Sequence, residues 1–527
     1  MTTLFIASSS VPTAVTITFC ILLAGLIACL AFEEQLHAKK SIIAGAFAVI
    51  CLLLGTALGI LPFDDVVIGS KEAQVQGHAE FKITEENEPA QELEHSDKTH
   101  SDGQKNHNNE HGEAGAGGEH EVDLHIGGHE IKMPVYIPGI DWSVIAIILG
   151  SSLFVDVTSR SGLFSWIAIK ATKLSRGDPL KLLCLYGVMT VVFSAVLNNV
   201  TAMIIVGSLT VVSLEKLERK EYMLPFLLLE GLLTNIGGLL TLISSVPNII
   251  VGTTANISFA TFLIKAAPYV VVSTAVTLWM GAWIFKIRPN QGDEEKRNAN
   301  ELVNSFDEND GIESPAFFKV AIAMLCVFIV LIAGTSALPV INKLGMGFVA
   351  MSMAAAMLLM YRNEVDKFYR AVDWDLIGFF MALFVVIYVM EHASVLHWIG
   401  LALQSVIGNM EQAVAAPGDA TKLLLGSAVF SSVTDNIPLS AMLASILHDL
   451  HAPDTSGLWW SVIFGANLGG NLTPIGSAST LVAVTIMHKH GLNMTFAKFV
   501  KMAFLFAVVQ IILAIIYVVF VIPLIPG

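Results

Sequence analysis

The stretch FSSVTDNIP, from Phe430 to Pro438, decides the fold because the chain carries it twice. The earlier copy, FSAVLNNVT from Phe193 to Thr201, has phenylalanine, serine, valine and asparagine at matching positions. Each copy lies between two apolar runs that are separately too short to span a bilayer. This pattern predicts a re-entrant hairpin in each half of the chain, with the asparagines at its tip.

Two further pairs of related stretches support the duplication. TNIGGLLTLISSVPN runs from Thr234 to Asn248, and ANLGGNLTPIGSAST runs from Ala466 to Thr480. Both have glycines that would interrupt a helix. Trp142 and Trp374 each follow an aspartate, open an apolar run and lie 232 residues apart. An internal duplication of this kind is typical of membrane transporters.

The composition is that of a polytopic membrane protein. The 527 residues are 54% hydrophobic and only 14% charged, with a mean hydropathy of +0.69. Several apolar runs, such as 13–32 and 41–61, have about the 20 residues that a helix needs to cross a bilayer. We therefore predict an all-α polytopic membrane protein. No Walker, nucleophile-elbow or catalytic metal motif occurs in the sequence, so we do not expect an enzyme.

The net charge of −15 comes mostly from one segment. Residues 62–139 contain 17 Asp and Glu against 5 Lys, and 8 of the 15 histidines. We expect this segment to be disordered because it has too little apolar content to form a core. Its histidines are candidates for weak binding of Zn²⁺, Cu²⁺ or Ni²⁺, but irregular spacing fits a solvated, pH-sensitive tether equally well. The candidate ligands are His107, His111, His120, His125 and His129.

Positive charge between the apolar runs predicts the topology. Ten full crossings and two re-entrant hairpins place every Lys- and Arg-rich turn in the cytoplasm and the acidic segment outside. The two halves then have opposite orientations, so they are predicted to be inverted repeats. The predicted regions are two N-terminal helices (1–61), the acidic His-rich segment (62–139), the first repeat (140–285), a cytoplasmic linker (286–315) and the second repeat with its preceding helices (316–527).

The hairpin tips and helix breaks are the candidate ion- or substrate-binding site. Non-helical backbone cannot face lipid, so these elements must be buried in protein or line a wet cavity. Their ligands would all be oxygens, which suit a hard cation such as Na⁺ or a hydrated anion. The alternative is that these small polar residues only join helices. The candidates are Asn198, Asn199, Thr201, Asn235, Gly237, Gly238, Thr241, Asn248, Thr434, Asp435, Asn436, Asn467, Gly469, Gly470, Thr473 and Ser477.

Three carboxylates at predicted membrane depth are candidates for proton coupling, because such groups are costly to bury there. Asp435 is the first, since it lies at a hairpin tip where the other repeat has Asn198. Asp156 is the second, although pairing with Arg160 one turn later would explain it equally well. Glu230, which precedes the first helix break, is the third.

These stretches resemble the ion-transporter superfamily, in particular its branch of arsenical pumps, NhaD-type sodium/proton antiporters and melanosomal P proteins, which is related to divalent anion:sodium symporters. The resemblance covers about residues 140–523 and rests on LNNVTAMIIV, TNIGGLLTLISSVPNIIVG, SSVTDNIPLSAM and GANLGGNLTPIGSAST. It implies paired cation sites at the tips and breaks, a homodimer and elevator-like movement. Relatives often have Asp-Asn at the first tip, where this chain has Asn198-Asn199.

The resemblance and the residues together predict a secondary active transporter of the bacterial inner membrane. Na⁺/H⁺ exchange is the main prediction, with Na⁺ as coupling ion. A Na⁺- or H⁺-coupled carrier of a small anion or oxyacid (dicarboxylate, arsenite or silicate) is the first alternative, and a transition-metal exporter fed by the His-rich segment is the second. We expect a small ion and membrane lipid as partners, no organic cofactor and no nucleic acid.

The topology can be tested with single cysteines. A membrane-impermeant thiol reagent should label a cysteine placed near residue 110 from outside, and one near residue 295 only after the cytoplasmic side is opened. Labelling of both positions from the same side would contradict the inverted repeat.

Overall fold

The computed structural model describes residues 11–31, 33–61, 65–68, 129–132, 137, 139–335, 337–361, 366, 369–370, 372–408 and 415–525. The described residues fall into two units. One unit comprises Met1–Pro62 and Val135–Gly527, and the other comprises Phe63–Pro134.

The smaller unit contains two short strands that the sequence analysis did not predict. β1 (Asp65–Ile68) pairs antiparallel with β2 (His129–Lys132). The Val-Val-Ile run of β1 is β-branched, which favours a strand. Most of the predicted metal-binding histidines lie outside the described residues, and only the backbone of His129 is described. The predictions of disorder and of metal binding therefore stay predictions.

The described elements of the larger unit are helices, as the sequence predicted. In chain order they are α1 (Thr13–Ala31), α2 (Glu33–Leu36), α3 (Lys40–Ala57), α4 (Trp142–Ser159), α5 (Leu163–Ser175), α6 (Pro179–Val196), α7 (Asn199–Lys216), α8 (Met223–Gly237), α9 (Val246–Thr254), α10 (Phe259–Ile284), α11 (Asp293–Asn304), α12 (Pro315–Ala333), α13 (Pro339–Met360), α14 (Trp374–His392), α15 (Val395–Val406), α16 (Pro417–Ser431), α17 (Asn436–Asp449), α18 (Gly457–Gly469), α19 (Ala478–Lys489) and α20 (Phe496–Ile516).

Ten of the described helices are long and apolar enough to cross a membrane, which confirms the prediction of an all-α polytopic protein. The prediction counted each broken helix as a crossing and both hairpins as re-entrant. In the structure both helices of the first hairpin, α6 and α7, have 18 residues and are among the ten, so the prediction that these runs are too short to cross was wrong. The two broken helices are not among the ten. Their pieces have 15 and 9 residues in α8 and α9, and 13 and 12 in α18 and α19, all shorter than a bilayer crossing.

The duplicated Asp-Trp pair begins two equivalent helices. The Asp141 carboxylate caps α4 by accepting from the Val144 amide at 3.1 Å. The Asp373 carboxylate caps α14 in the same manner. The indole of Trp142 donates to a carbonyl five residues earlier at 3.1 Å, and that of Trp374 does so at 2.9 Å. The sequence repeat is therefore also a repeat of local structure.

The region between the repeats is folded against the first repeat, whereas the sequence analysis predicted only a cytoplasmic linker. Its helix α11 buries Val303 completely, and Ala299 packs against Gly177. Gly177 has a φ of +70° and has no room for a Cβ there. The Asn290 amide donates to Asp178, which also caps α6. The linker is therefore attached to the basic turn between α5 and α6.

Glu308 strengthens this attachment. Its carboxylate accepts hydrogen bonds from the ammonium groups of Lys170, at 2.6 Å, and Lys173. These two bonds lower the pKa of Glu308 to about 2. The ion pairs therefore hold fully above the ordinary glutamate pKa and are lost as the pH falls toward 2.

Replacing Glu308 with glutamine should loosen the linker, because an amide cannot neutralise two ammonium groups. Hydrogen exchange of residues 293–304 should be several-fold faster in Glu308→Gln than in the wild type at pH 7. The difference should vanish as the pH falls from about 4.5 to 2, since the wild-type carboxylate is then protonated. Glu313→Gln, which changes an exposed glutamate nearby, is the control. Equal exchange in both variants at pH 7 would contradict the attachment.

Candidate functional site

The candidate site is built from two equivalent modules, each a hairpin packed against a broken helix. The first module contains α6 to α9, and the second contains α16 to α19. In the first, the Ser194 hydroxyl donates to the Thr234 carbonyl at 2.6 Å. In the second, the Ser431 hydroxyl donates to the Ala466 carbonyl at 2.5 Å. Both serines come from the repeated Phe-Ser pair that identified the hairpins.

A second repeated hydrogen bond holds each helix break to its hairpin. The Thr241 hydroxyl donates to the Ala195 carbonyl at 2.6 Å. The corresponding Thr473 hydroxyl donates to the Ser432 carbonyl at 2.5 Å. These threonines lie in the non-helical stretches between the two halves of the broken helices. Their hydroxyls satisfy carbonyls near the ends of α6 and α16, where no helical amide follows.

The glycines at the breaks permit this close packing. A Cβ at Gly237 would lie 2.6 Å from the Val191 carbonyl oxygen, and one at Gly469 would overlap the Ala428 carbonyl oxygen. The second glycine of the first break, Gly238, faces the Asn199 side chain in the same way. At Gly237 and Gly469 the missing side chain therefore lets two backbone segments touch, and at Gly238 it makes room for the Asn199 amide.

The two modules are joined by a reciprocal pair of hydrogen bonds. The Asn235 amide donates to the Ser477 hydroxyl at 2.9 Å. The Ser245 hydroxyl donates to the Asn467 amide oxygen at 2.8 Å. Each asparagine lies in the last turn of the first half of one broken helix, and each serine directly precedes the second half of the other. Ser477 also caps α19 through the Thr480 amide, whereas Ser245 makes no side-chain cap. The two breaks therefore lie against one another inside the protein.

Further buried amides extend this contact. The Asn467 amide donates to the Asn248 side-chain oxygen at 2.9 Å, and Asn235 donates to Asn471 at 2.8 Å. Asn471 in turn donates to Gln510 on α20 at 2.8 Å. All five side chains are at most 1% exposed. The sequence analysis missed Asn471, although it lies directly after the quoted glycines, and Gln510, which has no repeat signal.

The hairpin tips differ between the modules. In the first, Asn198 caps α7, while the Asn199 side-chain amide lies 2.6 Å from the Ser194 hydroxyl, which in turn binds the Thr234 carbonyl, and so connects tip and break. In the second, Asp435 caps α17 through the Ile437 amide at 3.1 Å. Asn436 makes no side-chain hydrogen bond within the described part of the chain. The second tip therefore retains an amide that is available to a ligand.

The Asp435 carboxylate is paired with a lysine that the sequence analysis did not consider. The Lys40 ammonium, at the start of α3, lies 2.5 Å from the second carboxylate oxygen of Asp435. It also lies 3.8 Å from a carboxylate oxygen of Glu33. The chain separation of 395 residues explains why no local pattern indicated this contact.

The other two candidate carboxylates have different surroundings. Asp156 pairs with Arg160 at 3.2 Å, which is the structural alternative that its spacing suggested. Glu230 is 1% exposed, and one of its oxygens accepts from the Thr210 hydroxyl at 2.5 Å. Its other oxygen has no partner among the described residues. Glu230 is thus a deeply buried carboxyl group that is only half satisfied.

The structure brings the predicted residues of each repeat together, but most of their side chains bind one another. Thr434 donates to the Phe430 carbonyl at 2.8 Å, and Thr241, Thr473 and Ser477 are engaged as described. Thr201 and Asn436 make no side-chain hydrogen bond to the described residues. Whether any of these residues binds an ion stays a prediction.

Comparison with known proteins agrees with this architecture. The model of the CitMHS family, described as citrate transporter, matches residues 126–463, which is more than half of the chain. The chain belongs to this family. The predicted membership of the ion-transporter superfamily is therefore confirmed, and the protein is a multi-pass membrane transporter of the CitMHS type.

Relatives of this CitMHS protein include two mycobacterial proteins. The 46 kDa membrane protein of Mycobacterium leprae is 31% identical over 390 residues, which cover 72% of this chain and 86% of that protein. An uncharacterized transporter of Mycobacterium tuberculosis is 30% identical over 388 residues, with the same two coverages. The P protein of Homo sapiens is 23% identical over 443 residues, 70% of this chain and 52% of that protein.

A solved structure shows a similar fold. MtrF of Neisseria gonorrhoeae, described as one of a class of antimetabolite efflux pumps, aligns with a TM-score of 0.52 and 11% identity. The alignment covers 74% of this chain and 83% of that chain. At this identity the likeness concerns the fold alone.

The packing at the second break can be tested by adding one methyl group. Gly469→Ala should destabilise the CitMHS protein by about 1–3 kcal/mol, because the new Cβ has no room beside the Ala428 carbonyl. Gly426→Ala, in the same module but with open space around it, is the matched control and should be neutral or stabilising. Thermal unfolding in detergent measures both. Equal unfolding temperatures for Gly469→Ala and Gly426→Ala would contradict the close contact at Gly469.

Proposed function

We propose that this transporter exchanges Na⁺ for H⁺ across the membrane at the tip of its second hairpin. The observation that carries the proposal is the Asp435 carboxylate, which is 15% exposed and already holds a monovalent cation, the Lys40 ammonium, at 2.5 Å. A carboxylate that can take a sodium ion or a proton, but not both, couples the two ions directly.

The neighbouring oxygens support a hard cation as the ligand. The side-chain amide of Asn436 follows Asp435 directly and is unengaged among the described residues. The Thr434 hydroxyl, directly before Asp435, adds one more side-chain oxygen at the tip. Na⁺ prefers such oxygen ligands to nitrogen or sulfur.

The two modules then have different roles. The first tip has Asn198 and Asn199 where the second has Asp435 and Asn436. An asparagine supplies an oxygen but does not titrate, so the first module would bind an ion without binding a proton. Glu230 is the second candidate for proton carriage, because its buried carboxyl group has an oxygen with no partner in the described structure.

A second function is supported by separate observations. Four helices, α7, α9, α17 and α19, begin at the tips or breaks, and helix N-termini attract anions. The matching family is described as citrate transporter. Cation-coupled transport of a small carboxylate anion is therefore the alternative to cation exchange.

Transport by purified protein in proteoliposomes tests the proposal. An imposed Na⁺ gradient should drive proton movement in the wild type, and Asp435→Asn should abolish it because the amide cannot titrate. Asp310→Asn, on the linker, is the control and should behave as the wild type. Uptake of labelled citrate driven by an imposed Na⁺ or H⁺ gradient would instead support the alternative. Normal exchange in Asp435→Asn would indicate that Glu230, and not Asp435, couples proton movement to Na⁺.

A further inference from the structure

We propose that Lys40 is a tethered competitor for the coupling cation, so that the N-terminal helix α3 sets the cation affinity of the second hairpin. This inference rests on the proposed exchange at Asp435. It assigns a specificity-determining role to a residue that lies before residue 126, where the family match begins.

The Asp435 carboxylate has no spare oxygen while Lys40 is bound. One oxygen accepts from the Ile437 amide at 3.1 Å and holds the start of α17. The other lies 2.5 Å from the Lys40 ammonium. Each oxygen already accepts one hydrogen bond, and a Na⁺ on the second oxygen would lie beside the ammonium, whose like charge opposes it until the ammonium moves away.

Helix packing holds Lys40 in this position. α3 packs along α14, and the Ser41 hydroxyl, next in sequence, donates to the Asp375 carboxylate on α14. α14 also contacts α17, the helix that Asp435 caps. The ammonium therefore reaches the hairpin tip from a fixed helix start and not from a loose terminus.

The charges around Lys40 leave room for a second cation. Three carboxylates, those of Glu33, Asp375 and Asp435, act on this one ammonium. One ammonium does not neutralise three carboxylates, so this cluster favours binding of a second cation. Glu33, at 3.8 Å, offers the displaced ammonium another carboxylate, so Lys40 can leave Asp435 without losing all compensation.

The side chains are not fully enclosed by protein. Lys40 is 30% exposed and Asp435 is 15% exposed. The pair is therefore not sealed inside the helix packing. Lys39, directly before Lys40, is exposed and makes no ion pair among the described residues, which makes it a matched control.

The first experiment measures Na⁺-driven proton movement in proteoliposomes against Na⁺ concentration. Lys40→Gln should lower the half-saturating Na⁺ concentration by about tenfold, because the competitor is gone, while the maximal rate stays within about threefold. Lys39→Gln should match the wild type. A merely structural role would lower the maximal rate and leave the half-saturating concentration unchanged. That result, or a higher half-saturating concentration, would overturn the proposal.

The second experiment separates this inference from the proposed function. Val433, 55% exposed at the tip, is replaced by cysteine in a chain whose five native cysteines are changed to serine or alanine. Maleimide labelling should be several-fold faster with Lys40→Gln than with Lys39→Gln, and NaCl should accelerate labelling only where Lys40 is present. An equal concentration of choline chloride controls for ionic strength.

The two failures are distinguishable. If the wild type moves neither Na⁺ nor protons along either gradient, the proposed exchange fails. Na⁺-sensitive labelling that depends on Lys40 would still support competition at Asp435. Labelling that is unaffected by Lys40→Gln and by Na⁺ would overturn the role of Lys40, even if exchange itself is measured.

Discussion

The reciprocal hydrogen bonds between the two helix breaks are the contact on which the rest of the structure depends. Backbone that leaves the helical conformation exposes amides and carbonyls, and each one costs several kcal/mol in hydrocarbon if it stays unpaired. The protein meets this constraint by burying each break against the other. Carbonyls at the first break are paired within their own module, as where the Asn248 amide donates to the Gly238 carbonyl. The side-chain bonds between Asn235 and Ser477, and between Ser245 and Asn467, then hold the two buried breaks together.

The hairpins follow from this central contact. Once the breaks are fixed, Ser194 and Ser431 hold the first hairpin helices to them by donating to carbonyls at equivalent positions. The tips are then placed beside the breaks, where four helices begin. This arrangement concentrates oxygen atoms and helix ends in one region, although the chain segments involved are widely separated in sequence.

Much of this arrangement was predictable because the stretches that form the hairpins and the helix breaks each occur twice in the sequence. The paired Phe-Ser and Gly-Gly stretches indicated both modules, and the Asp-Trp pairs indicated the starts of α4 and α14. The roles of individual side chains were harder to predict. Asn235 and Asn467 were proposed as ion ligands, yet their amides bind partners across the repeat. A repeat pattern shows that two positions are equivalent but does not show which of their neighbours they contact.

The features that sequence reasoning missed come from contacts without a repeat. Lys40 reaches Asp435 over 395 residues, and Gln510 reaches Asn471 from the last helix. The fold of α11 was missed for a related reason. Its buried apolar residues, Ala299 and Val303, are few, and the contact of Ala299 with Gly177 in the turn after α5 is not visible in the sequence.

The crossed asparagine–serine pairs have a consequence for how such a protein can be assembled. A chain that contained only the first repeat would leave Asn235 and Ser245 facing outward with no acceptor or donor from the second. A second copy of the same repeat, packed face to face, would supply both. The present single chain is thus equivalent to a fused pair of half-proteins, neither of which has a complete interior when separate.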